Sequence, residues 1–249
     1  VLRPETKALY IETPSNPMME ITDLSACAEL AKEHNLLMIT DNTFLSPYLQ
    51  NPIALGADIV IHSASKFLCG HNDTIAGFVC SAKEELAAKI RLIAKTTGGC
   101  LSPFDSWLVM RGIKTLAVRM ERQQENAGNI ARWLTEQKKV RKVYYAGLET
   151  HPGYEINAKQ ARGAGAMISF DVDSVETAQR VLEKVRVITF AESLGGTESL
   201  ITYPMKQTHP DVPKEWREKL GITDTLLRLS VGLEHVDELI ADLEQAFVS

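Results

Sequence analysis

The stretches LLMITDN at residues 36–42 and DIVIHSASK at residues 58–66 decide the fold of this chain. Each begins with a short apolar run, at 36–39 and 59–61, and then changes abruptly to polar residues. A continuous apolar run of this length is typical of a strand buried on both faces of a parallel sheet. Because amphipathic helical patterns alternate with such strands, the first half of the chain predicts an α/β layer structure.

The rest of the first half extends the same alternation. Residues 8–11 and 77–79 are further strand candidates, and residues 82–94 show helical spacing. Asp23 predicts the N-cap of another helix, whose apolar positions are Leu24, Cys27, Ala28 and Ala31. A long helical pattern begins with Ser102 as N-cap and Pro103 at the first helical position, and extends with a break to about residue 137.

The second half has a different character. Strand patterns occur at 143–145, 166–170, 186–190 and 226–231, and the pattern at 166–170 alternates as in a sheet with one open face. Amphipathic helices are predicted around Ala178 and from Val236 to the C-terminal end, and a long loop is predicted at 202–221. We therefore predict two parts: residues 1–118, from a larger α/β domain, and residues 119–249, a smaller α+β domain.

Composition excludes several classes of protein. The net charge is 27 − 32 = −5, and 45% of the residues are hydrophobic, as in ordinary globular proteins. An acidic balance argues against a nucleic-acid partner, and we interpret the basic run at 138–142 as a solvated face. No apolar run approaches the roughly 20 residues that cross a bilayer, so no membrane partner is predicted. Four separated cysteines and no signal peptide predict a cytoplasmic protein without a metal site.

Asp41 and Lys66 follow two of the predicted strands, and ligands of open α/β sheets bind where strands end. If these strands are neighbours, the carboxylate and the amine share one crevice. They would then form either an ordinary ion pair or the two fixed points of a pyridoxal 5'-phosphate (PLP) site. In such a site, a lysine binds the aldehyde and an aspartate pairs with the ring nitrogen. Spacing alone leaves both interpretations open.

Five motifs resemble those of the Cys/Met-metabolism family of PLP-dependent enzymes. They occur in order along the chain: ETPSNP (12–17), DNTF (41–44), HSASKFLCGHND (62–73), AESLGGTESLITYP (191–204) and LLRLSVGLE (226–234). The resemblance implies an α/β, aspartate-aminotransferase-like large domain of fold type I with a mostly parallel sheet, followed by a smaller α+β domain. It also implies PLP as cofactor.

The resemblance implies a role for the polar residues of these motifs. Lys66 would bind the PLP aldehyde and act as the catalytic base, and Asp41 would pair with the ring nitrogen. The remaining cofactor-binding candidates are Ser63, Ser65, Asn16 and Thr43, the first two at the phosphate and Thr43 the weakest.

The substrate side of the site follows from the same resemblance. Arg228 would clamp the substrate carboxylate, for which a planar fork of donors is well suited. Asn16 and Ser193 would lie beside that carboxylate. Glu192 would hold the ammonium group of a second amino acid.

Family members also carry an N-terminal segment ahead of ETPSNP, which supplies a stacking tyrosine, a phosphate turn and a Tyr-x-Arg pair for the neighbouring subunit. Nothing of that kind precedes Val1, so we expect that this N-terminal part is absent, either removed or outside this piece of a longer chain. The resemblance further implies a homotetramer built as a dimer of dimers.

Glu192 and the run TYPMKQTHPDVP resemble the γ-synthases of the family, which favours a cystathionine γ-synthase-type reaction, in which cysteine replaces the acyl group of an O-acylated homoserine. The alternative for Glu192 is an exposed loop charge. Elimination by a cystathionine γ-lyase, a β-lyase or a methionine γ-lyase is the alternative. A different class remains open as well, namely an inactive fragment or a non-catalytic partner. A nucleotide-dependent oxidoreductase is disfavoured, because no GxGxxG follows a predicted strand.

Overall fold

The computed structural model describes residues 2–208 and 210–248. Its first sheet contains four strands in spatial order: β1 (Ala8–Glu12), β2 (Leu37–Asp41), β3 (Ile59–Ser63) and β4 (Gly77–Cys80). The first three strands run parallel, and β4 pairs antiparallel with β3. The mostly parallel α/β sheet predicted from the sequence is therefore confirmed.

The helices of the first 135 residues are α1 (Leu24–Glu33), which packs against this sheet, α2 (Ser46–Leu49), α3 (Glu84–Thr97), α4 (Pro103–Ile113) and α5 (Leu116–Thr135), which also packs against the second half of the chain. The predicted caps are confirmed, since Asp23 accepts from the amide of Ala26 and Ser102 accepts from that of Asp105. The long helical pattern divides into α4 and α5, which is the break that the sequence suggests.

Alternation along β2 and β3 separates a structural face from a polar one. Met38 and Val60 are buried against Leu24 and Ala31 of α1, in a small core of their own. The residues of the opposite face, among them Asp41 and Ser63, are only half-buried. The polar strand ends are therefore free to contribute to a site on the face away from α1.

The second sheet is built from β5 (Val140–Tyr144), β6 (Met167–Val172), β7 (Thr189–Phe190), β8 (Leu200–Thr202) and β9 (Leu226–Ser230). Their spatial order is β5-β6-β9-β8-β7, antiparallel except for β7 and β8. Four helices belong to this half: α6 (Tyr154–Gln160), α7 (Val175–Lys184), α8 (Lys214–Leu220) and α9 (Val236–Val248). Because α8 lies inside 202–221, that stretch is not one continuous loop. The division at residues 118 and 119 stays a prediction, and it falls within α5.

The prediction that β6 has an open face is wrong. All its residues except Asp171 are buried. Phe170 packs edge-on against Phe247 of α9, with ring centroids 6.5 Å apart. The neighbouring Ser169 donates from its hydroxyl to the carbonyl oxygen of Pro17 at 2.6 Å, so the first part of the chain covers the other face. Arg228 is in register with Ser169 and is therefore enclosed too.

The predicted strand at 186–190 is also shortened, to β7 alone. The Asp242 carboxylate on α9 accepts hydrogen bonds of 2.8–3.0 Å from the backbone amides of Arg186, Val187 and Ile188. These amides are therefore not available to a sheet partner. Asp242 is 54 or more residues distant in sequence from these amides, and only the tertiary fold brings it there.

Replacing Asp242 by asparagine is expected to lower the free energy of unfolding by about 3 kcal/mol, because an amide group would face backbone donors in a buried place. Urea unfolding of the purified protein measures the effect. Asp237→Asn on the same helix is the matched control, since that carboxylate is 82% exposed and should change the value by less than about 0.5 kcal/mol. Equal effects of the two changes would contradict the anchoring role.

The basic run interpreted as a solvated face lies at the surface. The basic residues of 138–142 are exposed, and Lys139 forms an ion pair with Asp173 at 3.1 Å. Among the helices in the described part of the chain, none combines the length and apolarity needed to cross a membrane.

Candidate active site

The polar ends of β2 and β3 lie at one edge of the first sheet, because the two strands are neighbours with Asp41 in register with Ile61. Beyond that edge is a cleft of about 680 Å³. Ser63, Ser65 and Lys66 line one wall of it, and the segment with Glu192 and Ser193 lines the other. Two motifs more than 120 residues apart in the sequence thus form one site.

Lys66 occupies an irregular helical turn, Ala64–Leu68, directly after β3. Its backbone departs from helical geometry, with φ −98° and ψ −132°. The Nζ atom donates to Ser193 Oγ at 3.2 Å. Burial lowers the pKa of Lys66, the Arg228 cation lowers it further, and Glu192 opposes both effects. A lysine amine of this kind loses its proton more readily than an exposed one, which suits it for bonding to a carbonyl group.

Arg228 is the largest fully buried side chain, with 2% of its surface exposed. Its guanidinium donates to Asn16 Oδ1 at 2.8 Å, to the Ser193 carbonyl at 3.2 Å and to Thr202 Oγ1 at 3.2 Å. Burial lowers the pKa of Arg228 to about 10, opposed by Glu192 and Glu12.

None of these hydrogen-bond partners of Arg228 is a carboxylate, and its buried Nε has no partner within the described residues. A buried cation without an adjacent anion is costly. The guanidinium is therefore suited to bind a carboxylate ligand, to which it can donate two parallel hydrogen bonds.

The other cofactor candidates are close to the site, but some of their hydroxyls are already engaged. Asp41 Oδ1 accepts from the amide of Thr43 at 3.0 Å, and Thr43 Oγ1 accepts from the amide of Ser63 at 2.9 Å, which connects the two strand ends. Ser65 Oγ accepts from the amide of Ala76 at 2.9 Å and donates to its carbonyl at 3.3 Å. Thr43 and Ser65 thus use their hydroxyls within the chain.

Asp41 has a further neighbour in Tyr10 on β1. Burial raises the pKa of Tyr10, and the charge of Asp41 raises it further. A phenol beside the carboxylate indicates that Asp41 faces the same side of the sheet as Tyr10. Asp41 itself is not part of the wall formed by Ser63, Ser65 and Lys66.

Sequence reasoning missed several residues of this site. Thr202 binds Arg228, and Asn72 and Glu198, which form a short hydrogen bond with each other, line the cleft. All three lie inside motifs already recognised in the sequence. Their residue types alone gave no reason to single them out.

These observations test whether PLP fits. The site offers a half-buried amine with a lowered pKa in the cleft, hydroxyls and a carboxylate at two adjacent strand ends, and a buried guanidinium with an unused donor. An aldehyde, a protonated ring nitrogen and the carboxylate of an amino acid are the chemical groups that complement this set. The residues present therefore fit the cofactor.

Comparisons with known proteins show which family the chain resembles. A family model described as "Cys/Met metabolism PLP-dependent enzyme" matches residues 1–248. The cystathionine beta-lyase of Lactococcus lactis subsp. cremoris (strain MG1363) is 51% identical, over 97% of this chain and 64% of that protein. The cystathionine gamma-synthase of Haemophilus influenzae is 49% identical, over 100% of this chain and 63% of that protein.

A solved structure supports the fold. The crystal structure of cystathionine gamma-lyase from Lactobacillus plantarum complexed with L-serine has a TM-score of 0.97 and 48% identity, and covers 100% of this chain and 65% of its own. The chain spans just under two thirds of the length of these relatives. The expected fold class, with a mostly parallel sheet in the large domain and a smaller α+β part, is confirmed. The chain belongs to the Cys/Met-metabolism family of PLP-dependent enzymes.

Proposed function

We propose that the whole protein is a trans-sulfuration enzyme of the cystathionine γ-synthase type, in which cysteine displaces the acyl group of an O-acylated homoserine. The observation that carries this proposal is the position of Glu192. Its charge acts on both Lys66 and Arg228, and it lines the same cleft. A carboxylate there can hold the ammonium group of cysteine while Arg228 holds the first substrate.

Each group at the cofactor has one task in this proposal. When bound, PLP supplies an electron sink that stabilises negative charge at the substrate Cα. Lys66 holds the cofactor and then moves protons at Cα and Cβ of the substrate. Asp41 would pair with the ring nitrogen and keep it protonated, and Ser63 and Ser65 would hold the phosphate, while Thr43 connects the two strand ends.

The substrate-binding groups fix the orientation of the amino acid. Arg228 donates to its carboxylate, and Asn16, which already accepts from Arg228, holds the guanidinium in the plane needed for this. Ser193 contacts the amine of Lys66 through its hydroxyl and Arg228 through its carbonyl. It therefore connects the proton-moving group with the group that binds the substrate.

Elimination by a lyase is the second candidate, favoured by the 51% identity to a cystathionine beta-lyase. The discriminating assay uses the full-length protein with O-acetyl- or O-succinylhomoserine, with and without cysteine. Cystathionine formed only with cysteine supports the proposal. Pyruvate released from cystathionine with no synthesis indicates a β-lyase, and 2-oxobutyrate released faster than cystathionine is made indicates a γ-lyase.

The variant Glu192→Gln tests whether Glu192 binds cysteine. It is expected to raise the KM for cysteine about five- to ten-fold, because a partly exposed charge pair contributes on the order of 1 kcal/mol. The KM for the acylated homoserine should stay within a factor of two. Glu176→Gln, on the exposed side of α7, is the matched control and should change neither KM. An unchanged KM for cysteine in Glu192→Gln would contradict the assigned role.

The assembly and location are proposals as well. A homotetramer built as a dimer of dimers and a cytoplasmic location both follow from the family resemblance and the sequence. Sedimentation of the full-length protein over a dilution series measures the assembly. Full activity in a monomer would contradict it. The non-catalytic alternative predicts that no preparation shows the visible absorption of lysine-bound cofactor.

A further inference from the structure

One stripe of α5 carries three buried polar side chains. Arg119, Gln123 and Asn126 are spaced about one turn apart and are 3%, 0% and 0% exposed. A buried polar side chain is costly unless it is hydrogen-bonded. All three donate to backbone carbonyl groups, and most of these carbonyls belong to loops outside α5.

Arg119 binds the turn that carries Lys66. Its Nη1 donates to the carbonyl of Phe67 at 2.8 Å, and its Nη2 donates to that of Leu68 at 3.3 Å. These are the two residues that follow Lys66. The contact is so close that a Cβ atom on Gly70, which has φ +76°, would lie 2.1 Å from Nη1. The guanidinium therefore fills the space beneath the lysine turn.

Gln123, one turn further along α5, binds the opposite wall of the cleft. Its Nε2 donates to the carbonyl of Gly196 at 2.6 Å and to that of Val231 at 3.1 Å. Gly196 belongs to the loop that carries Ser193, and Val231 follows β9, the strand that carries Arg228. A single amide thus holds the loop and the end of the strand together.

The loop and the lysine turn also touch each other directly. Gly195 has φ +79°, and a Cβ atom added to it would lie 2.6 Å from the amide nitrogen of Phe67. The amide of Gly195 donates to Ser230 Oγ at 2.8 Å. The separation of Lys66 and Ser193 is therefore fixed by two backbone segments, both bound to α5.

We propose that Arg119 and Gln123 are positioning residues, which hold the Lys66 turn and the Ser193 loop on one rigid helix and so maintain the contact between Lys66 Nζ and Ser193 Oγ. The inference rests on the proposed function, because it assumes that Lys66 and Ser193 face the reaction. Correct placement of a proton-transferring group is worth large rate factors, and supporting hydrogen bonds supply that placement.

Asn126 provides a matched control. It is as buried as Gln123, lies on the same stripe and donates to two carbonyls, those of Gly232 and Glu234. Its partners contact the far end of the loop, through the hydrogen bond from the amide of Leu233 to the carbonyl of Thr197, and lie outside 193–196 and the lysine turn. Gln123→Met and Asn126→Leu remove the same number of hydrogen bonds with little change in volume. They should lower the urea midpoint of unfolding to a similar extent.

Hydrogen exchange of the full-length, cofactor-free protein tests the inference without any substrate. Exchange in the segment 193–196 is expected to rise at least ten-fold in Gln123→Met, and exchange in 66–70 at least ten-fold in Arg119→Lys. Asn126→Leu should leave both segments within two-fold of the wild type. Arg119→Lys keeps the positive charge but loses the planar fork of donors. If Gln123→Met does not fold, the exchange of 66–70 in Arg119→Lys alone tests the inference.

Circular dichroism of the PLP-loaded protein is the second readout. The visible band of lysine-bound cofactor gains ellipticity only from a fixed asymmetric surrounding, so both variants should lose at least half of it, and kcat should fall ten- to a hundred-fold. Wild-type exchange and ellipticity in both variants would overturn the inference, and so would equal changes in Asn126→Leu. Failure to make cystathionine overturns the proposed function instead and leaves the exchange result unaffected.

Discussion

Replacing Lys66 by alanine is expected to abolish the reaction, with kcat lowered by at least about 10⁴-fold, because in the proposed function one side chain both holds the cofactor and transfers the protons. The visible absorption of lysine-bound PLP should disappear with it. Lys66→Arg should show the same loss, since a guanidinium keeps its charge and cannot act as a base. Lys114→Ala, at an exposed position between α4 and α5, is the control and should retain both properties. A visible band that survives dialysis in Lys66→Ala would contradict the assignment.

The same change is expected to stabilise the cofactor-free protein. Burial and Arg228 lower the pKa of Lys66 from its ordinary value of 10.5. Below the lowered pKa the amine is charged in the folded and the unfolded chain, and the folded chain carries the full cost of its partial burial. As the pH rises from the lowered pKa to 10.5, the folded chain loses the proton of Lys66 and the cost of burying its charge decreases. The gain in Lys66→Ala should therefore be largest below the lowered pKa and absent above 10.5, as urea unfolding at several pH values would measure.

The sequence predicts those structural elements that depend on interactions between residues close together in the chain. Asp23 and Ser102 cap α1 and α4 because a side-chain oxygen reaches an amide three residues ahead. The apolar runs of β2 and β3 also indicate strands of a parallel sheet, although only one face of each strand is fully buried and the other is half-buried. The polar residues that follow these runs, with Asp41 and Lys66, predict where the candidate site lies, because ligands of open α/β sheets bind where strands end.

Elements that depend on distant parts of the chain could not be predicted in this way. The backbone at 186–188 has strand-like residues, but the Asp242 carboxylate takes its amides. The alternation in β6 indicates an open face, yet the segment around Pro17 covers it through Ser169. In both cases the local pattern is typical of the predicted structure, but a residue distant in sequence determines the structure that forms.

The candidate site also depends on contacts between residues that are distant in sequence. Motifs name Lys66, Arg228 and Ser193 as candidates, but nothing local indicates that Arg228 is fully buried or that Thr202 binds it. Arg119 lies in a helical pattern with no sign of its distant partners. Side chains that hold loops through their backbone carbonyls leave no pattern in the sequence, because any residue can supply the carbonyl.

Replacing Arg228 by methionine is expected to lower kcat/KM for the acylated homoserine by roughly 10²- to 10³-fold, mainly through KM, because a buried, hydrogen-bonded charge pair with a carboxylate contributes on the order of 3–5 kcal/mol. Arg228→Lys should lose less, since it retains the charge but not the two parallel donors. Arg91→Met, at an exposed ion pair of α3, should leave kcat/KM unchanged.

The free energy of unfolding should stay nearly constant in the same variant, which separates binding from folding. Burial lowers the pKa of Arg228 to about 10, from an ordinary value of 12.5, which corresponds to roughly 3 kcal/mol of cost for holding the charge. Methionine removes that cost. It also leaves the oxygens of Asn16, Ser193 and Thr202 without their donor, at about 1 kcal/mol each. Because the two effects oppose each other, urea unfolding should change by no more than about 1 kcal/mol. A large loss of stability with an unchanged KM would show that Arg228 maintains the fold and does not bind the substrate.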